Sequence, residues 1–414
     1  MARYQAYLAT SNDSKFDHPI TVGSEEFNAD QPRYYDWMRR NAPVYRGRLA
    51  GFGEQDIYFV SRYQDCHDLV LDPRICRVVE GSEQVELPES LRLLANDMMI
   101  LKDDPEHKRL RSLVSRPFTP RAIAHLGERV EAVTRELLDA MKSGQRIDLQ
   151  QAYALPIPLT VINEMVGVAE KDRSTFHEYV ELLFDGLATY GLEGTAERMD
   201  GFVDYLRELI SQRRADPGED ILTGLIHASE DGDSLSDDEV IAMVFMLITA
   251  GYETTHNLIT NGVAALLTHP DQLARLKAQP ELIDSAVEEI LRYTGTVGGT
   301  EVTTFAAEDI TLHDVTIPRG SLMEALLGSA NRDPDQFDDP ETFDITRSPN
   351  HHLAFSKGNH FCLGAHLARL ETKIAITNLI QRFPNLSLAV DPSELKLLPI
   401  PLMNRLDGLP VVLS

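Results

Sequence analysis

Cysteine is scarce in this chain. The three present, Cys66, Cys76 and Cys362, stand at no metal-ligand spacing, and an odd count suits a reducing compartment better than a disulfide framework. Cys66 and Cys76 read as packing residues. Basic residues are outnumbered, 39 against 65 acidic ones, leaving a formal charge of −26, so neither nucleic acid nor an anionic membrane is an expected partner. Between Met1 and Lys15 no apolar run has the length of a signal peptide or anchor, and a cytoplasmic protein is expected. Internal repeats, low-complexity tracts and Pro/Gly/Ser linkers are missing too, so residues 1–414 read as one domain.

What is present is concentrated in a few stretches. Phe355-Ser-Lys-Gly-Asn-His-Phe-Cys-Leu-Gly364 reads Phe-x-x-Gly-x-His-x-Cys-x-Gly, and apolar residues at helical spacing follow it directly. Cys362 is thereby placed at a helix N-terminus, where unpaired N–H groups and the helix dipole favour thiolate over thiol. Thiolate is the form that ligates iron, so the stretch reads as a haem-thiolate loop. Gly358 is free to take a positive φ, Gly364 lets backbone approach a flat macrocycle, and Phe355 would cover the sulfur's side of that ring. A buried structural cysteine is the alternative.

Ser236 to Glu239 is a capping box with Leu235 as a staple, and the helix it starts runs to Thr268, about 48 Å. The run from Ile241 to Ile248 is apolar on every side, which suits a helix crossing the centre of the molecule; it is too short for a membrane span. Its middle, Thr249-Ala-Gly-Tyr-Glu-Thr-Thr255, turns small and polar, the residue types at which a helix opens. His107 and Arg111, four apart on a predicted helix led by Pro105, share a face and can donate to one anionic group. Glu289 and Arg292 are spaced to pair on a helix from Ile283.

Elsewhere the patterns predict a helix over Gln31 to Asn41, strands near Val44 and Asp56 to Ser61, and a helix from Tyr63. One helix is expected from Thr119-Pro120 to near Lys142, and others over Pro158 to Gly167, Lys171 to Leu183 and Ala196 to Arg213. The glycine-punctuated stretch Gly186 to Gly194 between the last two suits a movable lid or a plain surface loop.

Together these motifs resemble, in order and over roughly residues 30 to 414, those of the cytochrome P450 family. Its members are haem-thiolate monooxygenases whose axial cysteine favours O–O cleavage. The resemblance implies a mainly α fold with a smaller β-rich region, and haem b (iron protoporphyrin IX) between the long central helix and the cysteine-bearing loop. Cys362 would be the axial ligand, within a loop that includes Phe355, Gly358, His360 and Gly364. His107, Arg111 and His360 would meet a haem propionate. Ala250 would lie against the haem face, Thr254 would hydrogen-bond dioxygen or a water, and Glu253 would pass protons along a water chain. Alternatively, Thr254 bonds back to its own helix and Glu253 makes an ion pair. Two departures stand out. No Lys or Arg occurs between Arg292 and Arg319, so Thr304 falls near a position where the family has a propionate-binding arginine, and Thr342 stands where many members have arginine.

The implied reaction inserts one atom of O2 into an apolar organic substrate, giving a hydroxyl or epoxide. No flavin or iron–sulfur motif is present, so electrons would come from a separate ferredoxin and ferredoxin reductase. Lys108, Arg109, Arg116, Lys357 and Arg369 are expected to form a basic patch for an acidic ferredoxin. An H2O2-dependent peroxygenase stays open, although the Glu253–Thr254 pair argues against it, as does a non-enzymatic haem sensor or carrier. Met98 to Ile100, Leu402 and Met403 are candidate pocket residues in apolar segments that select no particular substrate.

Overall fold

The structure, a computed structural model, describes residues 19–79, 87–115, 118–230, 232–300 and 304–414. The helix Gln31–Asn41 buries Tyr34, Tyr35, Trp37 and Met38 against a six-stranded sheet. Its strands are β1 (Thr21–Val22), β2 (Val44–Leu49), β3 (Ile57–Val60), β4 (Ile75–Cys76), β5 (Thr304–Ala306) and β6 (Leu322–Ala325), in the order β1-β2-β3-β6-β5-β4. The sheet therefore stitches residues 21–76 to 304–325. The inner strands β3 and β6 are parallel, Leu322 opposite Ile57 and Ala325 opposite Val60, and both are buried throughout, as strands with two covered faces should be, with Glu324 the one charged side chain between them. Cys66 packs beneath β3, its Sγ 3.1 Å from the Val60 carbonyl.

Five helices form or back the site: α1 (Glu106–Val114), α2 (Arg173–Ala215), α3 (Asp237–Thr268), α4 (Ile283–Thr294) and α5 (Ala365–Arg382), with α2 packed behind α3. The capping box of α3 is formed in both directions: the Glu239 N–H donates to Ser236 Oγ at 3.2 Å and the Ser236 N–H donates to the Glu239 carboxylate at 2.8 Å. Leu235 and Val240 are buried in one cluster, as a staple requires. The first half of α3, Val240 to Ile248, lies in the cluster that includes Phe202 and Leu206 of α2, whereas Leu258 to Leu266 lie in a second cluster with Ile374 and Ile376 of α5. Burial against different partners at its two ends explains why this helix carries no polar face. Among the described residues, no helix is long and apolar enough to cross a membrane.

Some expectations need correction. The helix from Thr119-Pro120 is two, Pro120–Ala124 and Gly127–Asp139, broken just before a glycine, a weak helix former. The lid does not exist as a loop. Residues 186–194 lie inside the unbroken helix α2, which contains no proline; a helical glycine costs about 1 kcal/mol relative to alanine but leaves the hydrogen-bond ladder intact. In addition, α1 starts at Glu106 with Pro105 as its N-cap.

Glu289 and Arg292 on α4 are both fully buried. Arg292 meets Glu289 with two bonds of 2.8 Å and also donates to the carbonyls of Asn331, Pro340 and Thr342 at 2.8–3.1 Å. Thr342 thus contributes its backbone, while the second cation on Glu289 is Arg347, with its Nε 3.2 Å from the carboxylate. Arg292→Ala should cost about 3–5 kcal/mol because it removes the principal partner of a buried carboxylate. Arg347→Ala should cost distinctly less, since Arg292 remains. Denaturant midpoints of the haem-loaded variants measure both, and equal costs would contradict this ranking.

Candidate active site

The backbone of the cysteine loop is bent by left-handed residues. Ser356 and Gly358 have φ of 58° and 70°, and the positive φ at 358 favours glycine, with a Cβ there also crowding the Val70 carbonyl at 3.2 Å. The Cys362 N–H donates to the Phe355 carbonyl at 3.0 Å and closes the loop. Helix α5 begins just beyond, with Gly364 as its N-cap. From the other side, Arg111 of α1 donates to the Phe361 carbonyl at 2.7 Å. Phe355 lies under the Arg369 guanidinium, 4.5 Å from ring centre to Cζ, and Arg369 is held by two bonds of 2.6 and 2.8 Å to Glu288, which also meets His352 Nε2 at 3.0 Å. Burial works against the Glu288 carboxylate, but the bonds from Arg369 and His352 outweigh it and hold its pKa down at about 2.

Two adjoining cavities open between this loop and α3. Cys362, Phe355 and His360 from the loop side and Ala250 and Thr254 from α3 line both. His107, Arg111, Gly251 and Gly364 line the first, together with Met99, Ile100 and Met246. Gly358 lines neither, since its part is to turn the loop, and neither do Leu402 and Met403: Leu402 packs beside Gly299, and Met403 bridges to Val297. Around Gly251, α3 stays helical rather than opening. The Thr254 hydroxyl donates to the Ala250 carbonyl at 2.6 Å. Glu253 is buried outside both cavities, its carboxylate 3.1 Å from each of His256 Nε2, Asn257 Nδ2 and Arg405 Nη1. Burial pushes its pKa up, yet His256 and Arg405 outweigh that and bring it below the ordinary glutamate range. Both contacts raised as the alternative reading of this pair are therefore present.

The cavity lining is cationic. Arg77 and Arg111 are on it, while the one carboxyl among the lining residues of the two cavities, Glu371, is pushed up to about 8 by burial and is mainly neutral at pH 7. Burial, then the charges of Arg77, His107 and Arg111, pulls His360 down to about 3; burial and Arg111 lower His107 as well. The two imidazole rings lie 4.1 Å apart. Both ring nitrogens of His107 are buried without a hydrogen-bond partner, the nearest Asp104 oxygen being 3.6 Å away. Buried polar atoms left so are uncommon and point to a ligand that completes them. Beside Gly364, a Cβ would meet nothing within 4 Å. Among the described residues no group of three or more His, Cys, Asp or Glu is placed to hold a bare metal ion, so an iron on Cys362 would need a macrocycle to supply its other ligands. A flat, largely apolar ring with acidic side arms fits this set.

The profile of one protein family, described as Cytochrome P450, matches residues 50–397. The chain belongs to the cytochrome P450 family. It is 42% identical over 396 residues to Cytochrome P450 107B1 of Saccharopolyspora erythraea, covering 94% of this chain and 96% of that one. It is 40% identical to Cytochrome P450 monooxygenase PikC of Streptomyces venezuelae, covering 94% and 92%. The solved structure of the Bacillus subtilis polyketide synthase cytochrome P450 PksS superposes with a TM-score of 0.88 at 38% identity, covering 95% and 99%. The protein is thus a P450 oxidoreductase of the monooxygenase type with the P450 fold, and its cofactor is a haem.

Sequence spacing had not singled out Arg77, Arg347, Glu288 or Arg405, each of which meets the site or its support from a distant part of the chain. The expected basic patch is thinner than its residue list. Arg109 is bonded to Asp233 and Glu239, and Arg369 to Glu288; Arg116 lies outside the described residues, which leaves Lys108 and Lys357. Because Glu288 has a depressed pKa in the folded protein, it stabilises the fold above the ordinary glutamate value, and that contribution is lost as pH falls from about 4.5 towards 2. Glu288→Gln should lack this acid-side loss. Denaturant midpoints between pH 7 and 3 would show the parent and variant curves converging on acidification; parallel curves would contradict the assignment.

Proposed function

We propose that this P450 uses haem b to insert one atom of O2 into an apolar organic substrate, by hydroxylation or epoxidation, with electrons from a separate ferredoxin and ferredoxin reductase and with residues 1–414 acting as one domain. The observation that carries this reading is that Cys362 and Thr254, on opposite walls, share cavities whose remaining lining is largely apolar. The haem, when bound, supplies the activation of O2. Cys362 ligates its iron as thiolate at the head of α5. His107, Arg111 and His360 meet the propionates, with neutral imidazoles donating N–H groups to an acceptor. Ala250 sets how closely α3 approaches the macrocycle.

Thr254 would hold a proton-donating water on the α3 side of the cavities by turning its hydroxyl from the Ala250 carbonyl. Glu253 feeds that water once it swings from Arg405, its low pKa making it a carboxylate that shuttles protons rather than stores them. The likeness to PksS favours a polyketide-type carbon skeleton within the apolar class. Direct use of H2O2 is the second reading, favoured by the three contacts that tie Glu253 outside the cavities.

Turnover of a converted substrate under 18O2 with NADH, ferredoxin and reductase separates the two readings. Thr254→Ala should go on consuming NADH and O2 while product falls about tenfold or more, and it should keep product formation from H2O2. Unchanged product yield per NADH in the variant would remove Thr254 from proton delivery, and a parent that turns over only with H2O2 would leave the peroxygenase reading.

A further inference from the structure

Thr304 lines a small cavity with Arg77 and His360, where Asp72 is bonded to Arg74 and Asp103 to backbone N–H groups, and its own hydroxyl is already used: buried Thr304 donates to the Met323 carbonyl within the sheet at 3.0 Å. The neighbouring edge strand offers a replacement. In the antiparallel β4–β5 ladder, Ile75 is opposite Ala306 and Cys76 opposite Phe305. Arg77 follows directly as β4 ends, on the side of the sheet where it lines one small cavity with Thr304. The backbone there is pinned, since the N–H groups of Arg77 and Val78 donate to the Asp103 carboxylate at 2.9–3.0 Å, just ahead of the helix that carries His107 and Arg111.

Arg77 lines the cavity that holds Cys362 and His360, and with Thr304 and His360 it lines a smaller one alongside. Glu324, the buried carboxyl behind Thr300, accepts from the Thr300 N–H and hydroxyl; burial pushes it up to about 8, so at pH 7 it is mainly uncharged and does not neutralise the cavity.

We propose that Arg77 is the cation for a haem propionate carboxylate in this protein, moved one strand across the sheet from position 304. The inference rests on haem binding at Cys362 and adds a residue to that site. A guanidinium reaching the carboxylate from β4 supplies a charge-assisted hydrogen bond of the kind that arginine makes in a fork. It also ties the cofactor to the edge strand, and through Asp103 to α1.

The test is haem retention in the ferric holoprotein, read as the rate of transfer to excess apomyoglobin, for the parent and Arg77→Gln, each loaded with haem or with haem dimethyl ester, whose propionates carry no charge. With haem, the variant should release its cofactor about tenfold faster or more, as expected for the loss of a hydrogen bond to a charged group, while its reduced-CO spectrum stays that of the parent. With the ester, the two proteins should release at the same rate. Equal rates with haem would overturn the proposal. So would a difference that persists undiminished with the ester, because Arg77 would then be supporting the fold and not the carboxylate. Arg77→Lys, which keeps the charge without the fork, serves the same comparison if the Gln variant does not fold. A parent without the thiolate spectrum would instead remove the haem-thiolate reading itself.

Discussion

The distance between one sulfur and one helix governs this structure. Cys362 faces Ala250 and Thr254 across the cavities they line together, and both walls are held in place by bonds and packing. On one side, left-handed Ser356 and Gly358, the Cys362 N–H to Phe355 carbonyl bond and the Arg111 bond to the Phe361 carbonyl fix the loop. On the other, α3 is clamped between two hydrophobic clusters, one at each end. The buried Glu289–Arg292–Arg347 group stands behind the loop and reaches carbonyls at 331, 338, 340 and 342. Its charges satisfy backbone that has no regular partner, which suits a long irregular segment that must stay in place.

Charge is distributed in opposite senses inside and outside. The chain as a whole carries −26, yet the lining of the two cavities holds Arg77 and Arg111 and only one carboxyl, which burial keeps mainly neutral at pH 7. Around Cys362 that excess favours anions, both a thiolate and the acidic arms of a haem. Glu253 is the exception on α3, a carboxylate kept ionised by His256 and Arg405 outside the cavities. Proton delivery through it requires a side-chain movement, and Arg405, from near the C-terminus, is what that movement must leave.

Much of this could be read from the sequence, because the deciding features are local. The cysteine loop is ten consecutive positions, the capping box is four, and Glu289 and Arg292 are one helical turn apart. Such spacings translate directly into geometry. Arg347, Arg77 and Arg405 escaped notice because each meets its partners across long stretches of chain: 58 residues separate Arg347 from Glu289, and 152 separate Arg405 from Glu253. No periodicity reports such a pairing. The clue to Arg77 was an absence, the missing base near 304, and only the register of β4 on β5 shows what lies beside it. The continuous helix α2 misled for a different reason. Glycines weaken helix propensity without interrupting the hydrogen-bond ladder.

All of this depends on Cys362 being an iron ligand. The most direct measurement is the absorption difference spectrum of the dithionite-reduced protein with and without CO, taken on the parent and on Cys362→Ala. The account predicts a strongly red-shifted Soret band in the parent that the variant lacks while remaining folded. A folded, haem-loaded parent without that band would contradict it.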